Sequence, residues 1–514
     1  MSLITIIRPP IVVPKWAHTT IVCPPVGMAY LASSLRAAKH PVKLIDSVGE
    51  AVFSVREVDT HRSLMATGLT PEQVLDRIDP KTTLFGFSCM FSNEWPIAYH
   101  LIEEVRRAFP GRPIVVGGEH INSVPEFTLA HYPAVDICAL GEGEETIVEI
   151  MNRHSRGESL QGIPGIAFRE NGLYKENPGR ARINSVDDIP LPAWDLIPMH
   201  NYLDNSLGYG VNRGRSMPLM ATRGCPYQCT FCSSPTMWTT KWIARDVDKV
   251  LNEIQGYIDG YRATNIDFYD LTAVIKKDWI VKFCQTIVER KMNFTWQLPS
   301  GTRSEAIDGE VTHWMSRSGC KNITYAPESG SPAVLKRIKK KVLIPRMKES
   351  MRNALKNGMV IKTNIIMGFP DETHFEIWQT ILFMAHLAIM GVEDAVPANF
   401  SPYPGSELFE SLRAEGKIPQ LDDEYFWNLS VQTSFFRAVS VSKYVSSRAL
   451  SFYLVFSLAL FYALSFLFHP WRFFKMFFIN PFKNIQESRF EKGYQGVFRR
   501  FFPKKEALSS GSRS

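Results

Sequence analysis

Cysteine is scarce in this sequence. The eight cysteines, Cys23, Cys89, Cys138, Cys225, Cys229, Cys232, Cys284 and Cys320, are spread irregularly over 514 residues. That argues against the disulfide framework of a secreted domain and for a reduced, cytoplasmic setting. The opening MSLITIIRPP lacks the basic start, apolar middle and small-residue cleavage site of a secretory leader, so it is expected to form a first strand. A complete dinucleotide fingerprint is missing too. ALGEGEET offers only G-x-G-x-x-T and no strand-glycine-helix unit opens the chain, which argues against a nicotinamide cofactor. The formal net charge of +7 does not call for nucleic acid, because many basic residues fall after residue 470.

What the chain does have is β-α rhythm. Over residues 1–150 the strand-like runs LITIIR, VKLID, TLFGFSCMF, PIVVGG and VDICALG alternate with helical segments such as VGMAYLASSLRAA and WPIAYHLIEEVRRAF. This predicts a doubly wound, flavodoxin- or Rossmann-like parallel sheet with a ligand crevice outside the carboxyl ends of its strands. Residues 151–215 are rich in Pro, Gly and Asn and end in DDIPLPAWDLIP, as an extended linker would. From 216 to 410, SMPLMATRG, NIDFYDL, FTWQLPS, NITYAPES, VIKTNIIMGF and DAVPANFSP recur between amphipathic segments. Six βα units predict a partial TIM-type barrel. The rhythm stops after 410, and 411–514 is expected to be helical.

RGCPYQCTFCSSP, from Arg223 to Pro235, places Cys225, Cys229 and Cys232 directly after the first barrel strand, at the end where barrel enzymes keep their chemistry. Thiolates are soft ligands suited to iron-sulfur clusters or zinc. A zinc knuckle would need a fourth ligand such as Cys320 or a histidine, and the second paired half-motif usual for zinc is missing. Three thiolates on a four-iron cube would leave one iron open, which is a reactive position.

The spacing C-x3-C-x-aromatic-C, with Phe231 as the aromatic, resembles the signature of the radical S-adenosylmethionine (SAM) superfamily. PPVGMAYLASSLR, VVGGEH, GEGEET and IPLPAWDLIP resemble the branch in which a cobalamin-binding domain precedes the barrel, a branch of methyltransferases and anaerobic magnesium-protoporphyrin monomethyl ester cyclases. The resemblance implies a 4Fe-4S cluster on Cys225, Cys229 and Cys232, with the open iron chelating SAM and an electron from a flavodoxin- or ferredoxin-like reductant splitting it. It also implies SAM contacts from Phe231, Asp270, Glu328, Ser329 and Gly368 at successive strand ends. At Asp270, Glu328, Ser329 and Gly368 a strand-to-helix turn is the alternative role. For cobalamin it implies Ser88, Gly117, Gly118 and Gly141. The motif D-x-H-x-x-G, which supplies a histidine to cobalt from below, is not present: DSVGE from Asp46 has no histidine at its third position.

By the same resemblance the activity is methylation of an unactivated carbon, or oxidative ring closure by a cyclase of the branch. The sequence shows no obvious acid-base pair, and hydrogen abstraction requires none. Two other readings stay open. A methylthiotransferase would need Cys23, Cys89 and Cys138 to hold a second cluster, and a non-enzymatic cobalamin sensor would keep its cluster as a structural element.

The segment from Ala449 to Phe468, ALSFYLVFSLALFYALSFLF, is uncharged and long enough to cross a bilayer. WRFFKMFF and VFRRFFPKK beyond it interleave basic and aromatic residues as at a membrane interface. A single span would strand this basic tail away from the cytoplasmic catalytic domains, so monotopic attachment to the cytoplasmic membrane face is expected, with a small hydrophobic substrate. The alternative is a helix packed on the barrel, with Ser451, Ser457 and Ser465 marking the packed face.

Overall fold

The computed structural model describes residues 2–15, 22–430, 435, 438–483, 486–488 and 491; the VFRRFFPKK segment lies outside the described residues. Five parallel strands open the chain: β1 (Leu3–Arg8), β2 (Val42–Asp46), β3 (Thr82–Ser88), β4 (Ile114–Gly117) and β5 (Ile137–Ala139). Their spatial order is β2-β1-β3-β4-β5, the flavodoxin-like arrangement, whose direction of winding reverses between β1 and β3. Strand residues alternate between two cores. Ile4, Ile6, Leu84 and Val115 pack with α1 (Val26–Ala37) and α3 (Gly143–Arg156), whereas Ile7, Phe85, Phe87 and Val116 pack with α2 (Trp95–Ala108). Burial on both faces explains why these strands read as near-continuous apolar runs.

The boundary expected at residue 151 falls inside α3, and the next stretch is not a plain linker. β6 (Ile166–Glu170) and β7 (Leu173–Glu176) form a hairpin that extends the sheet antiparallel beyond β5. Its two-residue turn has positive φ at both Asn171 and Gly172. Asn-Gly between alternating residues is the signal for this turn, and the Pro- and Gly-rich composition masks it. After the hairpin, Trp194, Tyr202 and Leu203 are buried, so even the remaining connection is packed.

Six parallel strands follow in simple order: β8 (Ser216–Leu219), β9 (Asn265–Phe268), β10 (Thr295–Thr302), β11 (Cys320–Glu328), β12 (Val360–Met367) and β13 (Asp394–Asn399). β8 and β13 do not pair, so the barrel is open. The outer layer is α4 (Val247–Tyr261), α5 (Lys277–Glu289), α6 (Gly309–Arg317), α7 (Ile344–Lys356) and α8 (His374–Met390). α8 begins with a capping box between Thr373 and Glu376. Cys284 and Cys320 are buried packing residues of this unit.

The carboxy-terminal region is helical, with α9 (Glu407–Ala414), α10 (Asp423–Asn428), α11 (Ser447–Phe468) and α12 (Pro470–Phe474). Among the described residues α11 is the one helix long and apolar enough to cross a membrane. It lies instead along α8 and β13, burying Leu450, Leu454, Ser457, Phe461 and Ser465. Tyr462 Oη donates to Asp394 (2.9 Å), and Arg472 of α12 donates to Val392 O (2.9 Å) and pairs with Glu393. One face of this long apolar helix is thus packed against the barrel. Ser457 and Ser465 lie on the packed face, whereas Ser451 is only half-buried.

Candidate functional site

The cysteine loop is shaped before its first thiol. Thr222–Arg223 pairs with Ile243–Ala244 just beyond β8. Gly224 then turns at φ +85°, where a Cβ would lie 2.1 Å from Lys241 O; only glycine fits. Cys225, Cys229 and Cys232 are free and half-buried, and Cys232 N–H donates to Cys229 O (3.0 Å). No three ligating side chains among the described residues converge at metal-binding distance. The thiols nonetheless share one electrostatic environment. Burial raises Cys229, with Lys340 and Arg303 acting against it, and pushes Cys232 up to about 12. Arg303, itself buried and paired with Glu305 (2.9 Å), stacks 3.7 Å over the Tyr227 ring inside the loop.

A second observation fits a bound group here. Among the buried polar atoms without a partner are Thr230 Oγ1 and Ser234 Oγ in the loop, Thr302 Oγ1 at the end of β10, Glu372 Oε1 after β12 and Asn399 Oδ1 at the end of β13. An unsatisfied buried polar atom costs about 1–3 kcal/mol, and these five gather at the loop and the carboxyl ends of the strands. A donor set of three thiols rimmed by unused polar groups suits a cluster with a nucleoside ligand. Thr230, Thr302, Arg303, Lys340 and Asn399 were not legible as site residues, because nothing in their sequence spacing marks them.

The expected SAM residues divide. Phe231 packs with Phe369 (centroids 5.8 Å) in the apolar wall that includes Leu335 and Phe400, and Lys340 Nζ lies 5.9 Å from its ring. Glu328, at the end of β11, holds a left-handed φ of +66° and a buried ion pair with Lys340 (2.8 Å). Such strain in a non-glycine residue is typical of functional positions. Ser329 is turned to other work: its hydroxyl meets Thr380 Oγ1 of α8 (2.9 Å) and accepts from Ser331 N–H. Asp270 is also occupied. Its carboxylate accepts from Ala221 N–H, Thr222 N–H and Thr222 Oγ1, anchoring the chain just ahead of the cysteines. Asp270→Asn, which cannot accept all three donors, should lower stability by about 1–3 kcal/mol in a denaturant titration.

Gly368 turns at φ +89°, and its N–H donates to Glu372 Oε2 (2.6 Å). A Cβ there would lie 2.6 Å from Leu450 of α11, so the long apolar helix closes over this turn. Burial pushes the Glu372 carboxyl up to about 7. The proton is therefore held more tightly in the folded chain, and this contribution to stability is full below pH 4.5 and lost as pH rises through about 7. Glu372→Gln should flatten that loss, seen by comparing denaturation midpoints at pH 5.5 and 8.

In the first domain Ser88 and Gly117 end adjacent strands in direct register. A Cβ on Gly117 would meet only Ala139, at 3.6 Å, so the protein itself has room for one. Gly118 differs, with φ +127° and Cys89 O only 2.2 Å from its would-be Cβ; the fold demands glycine there. Gly141, at φ +73°, faces open space. Gly117→Val should keep the fold and weaken cobalamin binding at least tenfold, while Gly118→Ala should unfold the domain by several kcal/mol; equilibrium dialysis and calorimetry separate the two. Asp46 caps the next turn through Gly49 N–H and also bonds Arg8 and Tyr202, while Val48, where the cobalt-ligating motif has histidine, is fully buried. Cys138 of β5 and Cys89 just after β3 are buried in the core on the α2 face of this sheet, and Cys23 lies beside Arg8 and Tyr269.

The two units are locked at the candidate site. Glu142, the N-cap of α3, and Glu144 in its first turn both accept from buried Arg223 (3.0 Å from Nη1 to Glu142), two residues ahead of Cys225. Arg182 of the connection also pairs with Glu142 (2.8 Å). Ser233, next to Cys232, donates to Glu119 of the VVGGEH loop. The glycine loops and the cysteine loop thus meet face to face. GEGEET was legible as a crevice loop, but its carboxylates turn out to hold the other domain.

Comparison with known proteins agrees with this architecture. Residues 17–151 match the B12 binding domain and 219–384 the radical SAM superfamily. An uncharacterized methyltransferase of Pyrococcus horikoshii is 30% identical over 84% of this chain and 88% of its own. Cytidylyl-2-hydroxyethylphosphonate methyltransferase of Streptomyces wedmorensis is 27% identical over 78% of this chain and 80% of its own. The structure of the radical SAM methyltransferase TsrM from Kitasatospora setae, with cobalamin and a [4Fe-4S] cluster bound, superposes with a TM-score of 0.63 at 14% identity, covering 82% of this chain and 80% of that one. A cobalamin-type α/β domain locked onto a three-cysteine barrel, together with these relatives, places the chain in the cobalamin-dependent radical SAM methyltransferase family, whose cofactors are a 4Fe-4S cluster, SAM and cobalamin.

Proposed function

We propose that the chain methylates an unactivated carbon of a small hydrophobic molecule of the lipid, isoprenoid or tetrapyrrole class. The observation that carries this reading is the double tie, Arg223 to Glu142 and Glu144, and Ser233 to Glu119, which holds the candidate cobalamin loops against the cysteine loop. Cys225, Cys229 and Cys232 would hold the cluster, Phe231, Glu328 and Gly368 would flank SAM, and Ser88, Gly117 and Gly141 would line the cobalamin crevice. When bound, these cofactors supply reductive cleavage of SAM and a transferable methyl group. The chain's part is to orient them and exclude water. The ion pair of Lys340 with Glu328 sets a charged wall beside the Phe231 ring.

An apolar substrate is supported by Met90 and Phe91 after β3 and Leu271 after β9, large side chains left exposed where strands of both units end. The electron would come from a flavodoxin- or ferredoxin-like reductant. The test is anaerobic reconstitution with cobalamin and methyl-labelled SAM, followed by mass analysis of lipid extracts. Labelled methyl in an apolar product is expected. Deoxyadenosine with an unmethylated, ring-closed product would favour the cyclase, and labelling confined to polar metabolites would overturn the substrate class.

A further inference from the structure

Between Glu424 and Glu487 the sequence has no acidic residue, while Lys443, Arg448, Arg472 and Lys475 punctuate its aromatic and aliphatic run. With one face of α11 packed on the barrel, the opposite face is free: Phe452, Val455 and Leu467 are exposed, with Ala459 and Ala463 between them at helical spacing. α8 continues the surface. Phe375, Trp378, Leu382 and Ile389 are exposed along one side of that helix, and Trp378 touches Phe456 (5.6 Å) and Tyr453 (5.8 Å) of α11, joining the two faces. Its one acid, Glu376, is buried and paired with Arg337. On the other flank α7 sets Lys348 and Arg352 beside His386; burial lowers His386, and both cations lower it further. Exposed Trp471 and Phe474 of α12 extend the patch at its far end.

We propose that this face lies in the plane of an anionic phospholipid leaflet, its apolar side chains at the acyl boundary and Lys348, Arg352 and Arg448 at the headgroups. Monomeric proteins rarely expose apolar patches of this extent, and a cationic border complements an anionic surface. A second copy of the chain is the poorer occupant. A two-fold interface would bring each basic border against its own kind or leave it unanswered. The inference does not rest on the substrate class, although Leu450 places this helix directly on the Gly368 turn.

The test is flotation of the reconstituted full chain with vesicles of phosphatidylcholine alone or mixed equally with phosphatidylglycerol. Partitioning at least tenfold stronger into the anionic vesicles is expected. K348A/R352A should lose about tenfold of it, and added salt should weaken it. L382E/F452E/L467E should abolish binding while keeping the cluster absorbance and the wild-type rate of SAM cleavage in solution. Equal flotation of the triple variant, or no flotation of the wild type, overturns the proposal. So does a concentration-dependent dimer in sedimentation that the triple variant abolishes without vesicle binding. A polar methylated product would sink the substrate class and leave flotation unchanged.

Discussion

Anaerobically reconstituted protein with Cys225, Cys229 and Cys232 replaced by alanine is expected to bind no cluster and to form deoxyadenosine only at the protein-free background. The loop's geometry explains why the loss should be complete rather than graded. Gly224 and the Asp270 anchor fix the start of the loop, and no other cysteine among the described residues is placed to substitute. Cys284 and Cys320 are buried in the barrel core. Cys320→Ala should cost on the order of 1 kcal/mol through the cavity it leaves and keep the cluster, which makes it the matched control. Iron content and the cluster's visible absorbance read the first effect, and product chromatography reads the second. A triple variant that still cleaves SAM at the wild-type rate would remove the basis of the assignment.

The second large effect is expected at Arg223. Its side chain is 3% exposed and its partner Glu142 2%, so Arg223→Met leaves a buried carboxylate pair, Glu142 and Glu144, without its shared counter-charge. Removing one member of a buried pair typically costs about 3–5 kcal/mol. Arg182 still pairs with Glu142 and should hold the loss toward the lower end. The functional consequence should exceed the stability loss. A displacement of about 1 Å between reacting groups can cost about 10²-fold, and this ion pair joins the two candidate cofactor loops. We expect methyl transfer to fall about 10²-fold while deoxyadenosine formation, which needs only the barrel, persists. The ratio of labelled methyl product to deoxyadenosine reads this uncoupling directly. An unchanged ratio would mean that the domains are held by other contacts.

The strands of both units were legible because each is apolar, short and bounded by turn residues, and parallel strands covered on both faces declare themselves by that pattern. The hairpin of β6 and β7 is masked in the sequence, although Asn171-Gly172 carries its signal, because the surrounding prolines and glycines have the composition of a linker. The cysteine loop was legible as chemistry, since three soft ligands at that spacing have few other uses. Side-chain direction was not legible. Ser329 turns toward Thr380 and Asp270 toward the backbone of residues 221–222, and neither orientation follows from lying at a strand end.

Spacing and residue type therefore determined, by themselves, the fold class and the cofactor family, and singled out the candidate cluster ligands, because these depend on local periodicity and on the chemistry of a few adjacent side chains. Tertiary structure alone decided how the two loops are joined through Arg223 and Ser233, which glycines the backbone requires, and that the apolar helix lies against the barrel with one face outward. Each of these depends on atoms brought together from positions tens to hundreds of residues apart. Buried charge, steric exclusion and packing act through distance in space, which sequence order does not encode locally.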